Sequence, residues 1–77
     1  MFDKNIFAQR VKELRLSKNL KQSELGTILN LSFQAVNGIE KGRRTTSFEK
    51  LVILAEYFQV SSDYLLGLSD IKERGEK

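Results

Sequence analysis

The chain has 77 residues, 40% hydrophobic and 30% charged, which is the composition of one small globular domain rather than of a disordered segment. It holds no Cys and no His, so disulfides, thiolate nucleophiles, zinc-type sites and imidazole acid–base chemistry are excluded; no cofactor, no metal and no enzymatic activity are expected. The net charge of +3 hides an asymmetry, because residues 1–44 carry nine Lys or Arg against four Asp or Glu, while residues 45–77 carry four against six.

Apolar residues recur at helical spacing throughout, and no alternating pattern competes. Phe7, Val11, Leu14 and the aliphatic stem of Lys18 share one face of a first helix near residues 6–18. Asn19-Leu20 breaks that pattern. Leu25, Ile28 and Leu29 form the stripe of a second helix over 22–29, closed by Asn30, a residue that tolerates the left-handed conformation ending many helices. Ser32 then reads as the N-cap of a third helix, with Leu31 and Val36 spaced as a hydrophobic staple. Val36 and Ile39 face inward and Gly42 closes the helix.

A fourth helix opens at Thr46 or Ser47; a cap at Thr46 would let Glu49 complete a capping box. Its stripe is Leu51, Leu54, Ala55 and Phe58. Ser61 caps a short fifth helix containing Tyr64, Leu65 and Leu66, ended by Gly67. From Ser69 to Lys77 the chain is polar and reads as a frayed tail or the start of a linker, so the expected domain spans residues 1–68 and the tail 69–77. The longest apolar run, Leu51 to Ala55, is far short of a membrane span, and the opening residues lack a signal-peptide core. A cytoplasmic chain with no membrane partner is the expectation. The fold class is all-α, a bundle of five short helices.

Only Asn30, Leu31 and Ser32 separate the second and third helices, the tight connection from which a helix-turn-helix is built. With Val36 and Ile39 inward, Phe33, Gln34, Asn37, Gly38 and Lys41 turn outward, and Gln34, Asn37, Gly38 and Lys41 fall on one stripe. Gln and Asn are the side chains that pair bidentately with adenine in the major groove. The plainer reading is a solvated polar face, and the short turn together with the surrounding bases argues against it. Phe33 would either touch a thymine methyl or pack back on the second helix. The basic loop Lys41-Gly42-Arg43-Arg44-Thr45-Thr46 follows, suited to a sugar-phosphate strand, and Lys21 lies on the other flank. Ser32 and Ala35 lie near the third helix's N-terminus, where anions are favoured.

The run Lys21-Gln22-Ser23-Glu24-Leu25-Gly26, followed by Asn30-Leu31-Ser32, Val36 and Ile39-Glu40-Lys41-Gly42, resembles the phage-repressor helix-turn-helix family of the lambda-repressor, Cro/CI type. Residues 51–67 continue its pattern, so the likeness covers roughly residues 6–67. It implies a five-helix lambda-repressor-like domain that binds an operator in double-stranded DNA as a transcriptional regulator. In that reading Phe33, Gln34, Asn37 and Gly38 face bases. Lys21, Gln22, Ser32, Ala35, Lys41, Arg43, Arg44 and Thr45 face the DNA backbone. The resemblance further implies that Arg15 and Glu40 form a structural ion pair, and that Val60, Tyr64 and Leu65 lie in a homodimer interface. Roles as an antitoxin or as a restriction–modification controller share this chemistry, and a C-terminal domain missing from the chain is compatible with it.

Three positions depart from the pattern. Gly26 stands where the family usually has Ala, Asn30 where it has a turn Gly, and Gly38 removes a side chain from a position often used to read bases. The last leaves room for a different function, a protein-interaction module that keeps the fold with weak or no DNA binding.

Overall fold

The computed structural model describes residues 2–73, which form five helices: α1 (Lys4–Ser17), α2 (Gln22–Leu29), α3 (Phe33–Glu40), α4 (Phe48–Phe58) and α5 (Ser62–Leu66). Four of their starts are set by short polar side chains, all but that of α2. Ser32, Ser47 and Ser61 each accept a hydrogen bond on Oγ from the amide three residues on, at 3.2, 3.2 and 3.0 Å. Ser47 rather than Thr46 caps α4, so the box with Glu49 does not form. α1 begins at Lys4, ahead of the expected position, because the Asp3 carboxylate accepts from the Asn5 amide at 2.8 Å.

All five helices end by one device. A residue in the left-handed region follows each: Asn19, Asn30, Gly42, Gln59 and Gly67, with φ between 56° and 79°. The next amide then returns to a carbonyl five residues back, Leu20 to Arg15, Leu31 to Gly26, Arg43 to Gly38, Val60 to Ala55 and Leu68 to Asp63, at 2.7–3.1 Å. Each bond satisfies an orphan carbonyl and reverses the chain within a few residues, so the connections stay short and the helices are thrown together.

Phe7, Val11 and Leu14 from α1 meet Leu25 and Leu29 from α2, Val36 and Ile39 from α3, and Leu51, Leu54 and Phe58 from α4 in a single core. Lys18 stands outside it, exposed, with its ammonium 5.5 Å from the Tyr57 ring centroid. Val60, Tyr64 and Leu65 belong to this core as well, at 2%, 9% and 0% exposure. The interface expected of them is therefore not at the surface: these side chains turn into the bundle and close it. No helix among the described residues is long and apolar enough to cross a membrane.

The segment from Ser69 is not frayed as far as Glu73. The Ser61 amide donates to the Lys72 carbonyl at 2.9 Å, Ser61 Oγ donates to the Ile71 carbonyl, and Val60 pairs with Glu73 in an isolated antiparallel bridge. Arg10 of α1 reaches across to the Tyr64 and Ser69 carbonyls and the Asp70 carboxylate, with its guanidinium 4.1 Å from the Tyr64 ring centroid. Residues 74–77 of the expected tail lie outside the described residues.

Gly26 sits where α2 meets the turn into α3. A Cβ there would approach the Leu31 carbonyl oxygen to 2.5 Å, inside any normal contact with backbone. Gly26→Val should therefore cost about 1–3 kcal/mol by overpacking, read as a fall in Tm of roughly 4–8 °C per kcal/mol. Thermal unfolding followed by circular dichroism checks this.

Candidate nucleic-acid interface

The outer face of α3 is held from behind by one ion pair. Arg15 Nε donates to Glu40 Oε2 at 2.6 Å and Nη2 donates to Oε1 at 3.0 Å, a two-pronged bond that fixes the plane of both groups. Their side chains are 11% and 3% exposed. Arg15 Nη1 also donates to the Leu20 carbonyl at 2.7 Å, tying the α1–α2 turn to the same group. The pair thus joins α1, the turn before α2, and the last residue of α3.

Gln22, at the first position of α2, extends the array. Its Nε2 donates to Glu40 Oε1 at 3.1 Å, and its Oε1 accepts from Asn37 Nδ2 at 3.3 Å. Both ends of the amide are engaged, so its rotation is set by the neighbours. Gln22 and Asn37 are half-buried. The sequence places Gln22 at the DNA backbone and Asn37 among the base-facing residues. The structure brings them together, linked to Arg15 through Glu40. Nothing in the local spacing signals this, because the bonds cross between helices.

Phe33 and Gln34 stand free on the first turn of α3, with Phe33 54% exposed. Its ring is not packed back into the core. Beside them, Ser32 is exposed and its hydroxyl caps Ala35. The amides of the first helical turn lack intrahelical acceptors and present positive dipole ends at this corner. Ala35 departs from expectation. Its side chain is 6% exposed and its amide is already held by Ser32, so neither part can meet a phosphate. One residue before the inward Val36, it turns toward the core rather than the surface.

At the other end, Lys41 is exposed at the C-cap of α3, and the loop beyond doubles back. Gly42, at φ +74°, makes the turn, and the Arg43 amide closes on the Gly38 carbonyl at 2.9 Å. A Cβ at Gly42 would come within 2.6 Å of Asn5 Oδ1, so the loop also lies against the start of α1. Arg43, Arg44 and Thr45 are all exposed. The Arg44 stem lies over Gly38: a Cβ at that glycine would be 3.0 Å from Arg44 Cδ and 3.1 Å from Cγ. Lys21, on the opposite flank, has an exposed side chain, while its amide donates to Glu24 Oε1 at 2.7 Å and opens α2. No group of three or more metal-ligating side chains gathers among the described residues.

The exposed polar stripe of α3 is therefore flanked by bases at both ends and backed by a buried hydrogen-bond array. Residues 11–65 match the model of a helix-turn-helix family. The chain is 34% identical over 65 residues to the HTH-type transcriptional regulator YobD of Bacillus subtilis, an alignment covering 84% of this chain and 58% of that protein. It thus spans little more than half the length of that relative. Among solved structures, it is similar to the restriction-modification controller protein C.AhdI from Aeromonas hydrophila, with a TM-score of 0.72 and 33% identity, covering 82% of this chain and 96% of that one. It is likewise similar to the P22 c2 repressor protein in complex with a synthetic operator, with a TM-score of 0.77 and 26% identity, covering 83% and 97%.

Arg15→Ala should leave the Glu40 carboxylate buried without its counter-charge and cost about 3–5 kcal/mol of stability. Arg15→Lys should recover only part of that, since an ammonium cannot span both carboxylate oxygens and the Leu20 carbonyl. Urea unfolding of the three proteins measures the difference, and wild-type stability in Arg15→Ala would contradict the role given to the pair.

Proposed function

The chain belongs to the helix-turn-helix family, and on that premise we propose that it is the DNA-binding part of a cytoplasmic transcriptional regulator, a repressor that docks α3 in the major groove of double-stranded DNA. The observation that carries this reading is the exposed face of α3, fixed in orientation by the Arg15–Glu40–Gln22–Asn37 array and open to solvent at Gln34. A recognition helix must arrive rigid, because each side chain that has to be ordered on binding subtracts from affinity.

The roles divide by position. Gln34 reads a base edge through its amide, and Phe33 meets the apolar methyl of thymine. Lys21, Lys41, Arg43 and Thr45, with Ser32 at the positive end of α3, hold the flanking phosphates and set the register without reading sequence. Asn37 contributes through Gln22, holding it toward the groove. The unit that does this is the domain of residues 1–68, and no catalytic step belongs to it.

A homodimer on a pseudo-palindromic operator completes the proposal. One recognition helix with so few readers specifies only a few base pairs, and a two-fold pair of domains doubles them, with half-sites about one helical turn apart. The apolar side chains available for such a contact are those at the surface, such as Leu68 just beyond α5 and Val52 on α4, at 66% and 40% exposure.

Footprinting on DNA upstream of the gene should reveal two protected half-sites. Protection of one asymmetric site by a single chain at full affinity would rule out the dimer, and no protection on any duplex would favour a protein-interaction module. Gln34→Ala should cost about 1–3 kcal/mol on the operator and little on random DNA, as measured by gel shift on both. Arg43→Ala should instead weaken binding on every sequence and make the log–log salt dependence shallower by roughly 0.9, the share of a single neutralised phosphate. Titrations at several salt concentrations would show an unchanged slope if Arg43 is merely solvated.

A further inference from the structure

The glycine at position 38 removes a side chain from the middle of the exposed stripe of α3, four residues after Gln34 and three before Lys41. That space is covered from elsewhere in the chain. Arg44 lays its stem across Gly38 so closely that a Cβ on the glycine would lie 3.0 Å from Arg44 Cδ and 3.1 Å from Cγ. The stem thus runs over the helix face, and the guanidinium is attached directly beyond Cδ.

We infer that Arg44 is a base-reading residue, standing in for the side chain that Gly38 lacks, and that it recognises guanine. This deepens the reading of the domain as a DNA-binding one and rests on it. Three observations and one chemical match support the inference. The loop that carries Arg44 is fixed to α3 by the Arg43 amide on the Gly38 carbonyl, so the stem is guided rather than free-swinging. Among the described residues no hydrogen bond or ion pair holds the guanidinium, which leaves its fork of donors open. The Asn37 amide nitrogen is already bonded to Gln22, so few other groups of α3 can read a base at this level of the groove. A guanidinium fork, finally, matches the O6 and N7 acceptors of guanine, the commonest specific contact in the major groove.

Selection from a randomised duplex library tests this with four forms of the 77-residue chain: unaltered, Arg44→Ala, Arg44→Lys and Gly38→Ala. Arg44 is exposed, and Gly38→Ala favours the helix, so folding should survive in all of them; circular dichroism verifies it. The unaltered chain should prefer a G·C pair at one position of each half-site by about ten-fold or more over other pairs. Arg44→Ala should reduce that preference to about two-fold or less while the other positions keep theirs. Gly38→Ala should weaken that preference with the charge intact, because the new methyl makes the Arg44 stem give way by a few tenths of an ångström. Arg44→Lys should bind more tightly than Arg44→Ala and recover only part of the preference, because an ammonium reaches O6 and N7 without the planar fork.

The inference is overturned if Arg44→Ala weakens all sequences alike with preferences unchanged, which marks a phosphate contact, or if the unaltered chain selects a sequence with no G·C preference that depends on Arg44. Selection of no sequence at all by the unaltered chain would overturn the DNA-binding reading itself, an outcome distinct from failure at Arg44 alone.

Discussion

The buried pair of Arg15 and Glu40 is the constraint on which the orientation of α3 depends. Taking two charges out of water is costly, and such a pair is poor evidence for stability when set against an apolar replacement. Its value here is directional. A guanidinium that meets both carboxylate oxygens and a backbone carbonyl can do so in one relative placement of α1, the α1–α2 turn and α3. Hydrophobic contacts among Val11, Leu25, Val36 and Ile39 draw these elements together without specifying their rotation as narrowly. The fixed carboxylate then orients Gln22, and Gln22 orients Asn37. The order of the exposed face is thus imposed from the buried side.

Much of the fold is legible in the sequence because its punctuation is local. Ser32 and Ser61 announce helix starts, and Asn30 and Gly67 announce helix ends, through bonds spanning only a few residues. What the sequence hides depends on partners far away in the chain. Ser69 onward looks unstructured by composition, and only the approach of Arg10 and Ser61 gives it somewhere to attach. Val60, Tyr64 and Leu65 are apolar in sequence, yet apolarity does not say whether the covering surface belongs to the same chain. In the candidate interface, the outward turn of Gln34 and the pairing of Arg15 with Glu40 can be anticipated. The inward turn of Ala35, the bond from Asn37 to Gln22 and the placement of Arg44 cannot, since each depends on how one segment lies against another.

Arg10 closes the bundle at the end remote in sequence from the turn. Its guanidinium lies over the Tyr64 ring and donates to two carbonyls, one at α5 and one in the segment beyond it. A flat cation suits this place because its face meets the aromatic ring while its edges bond in plane. The arrangement joins α1 to α5 and to the returning chain, so the first helix is held at two levels: near its C-terminal end by Arg15 toward α3 and at its middle by Arg10 toward α5. The five helices become one cooperative unit despite the small core that a chain of this size can bury.

The contact between Arg44 and Gly38 also bears on how such a surface can change over generations. On α3, Val36 and Ile39 belong to the core and Asn37 and Glu40 to the hydrogen-bond array, so replacing one of these disturbs the support of the others. The loop after Gly42 carries few such obligations, and surface loops tolerate replacement more readily than the elements they join. By leaving position 38 bare and covering it from the loop, the chain shifts part of its contact surface onto a segment that can drift. New preferences can then arise by exchanging one loop residue while the scaffold is inherited intact. The glycine that impoverishes the helix gives the lineage room to vary.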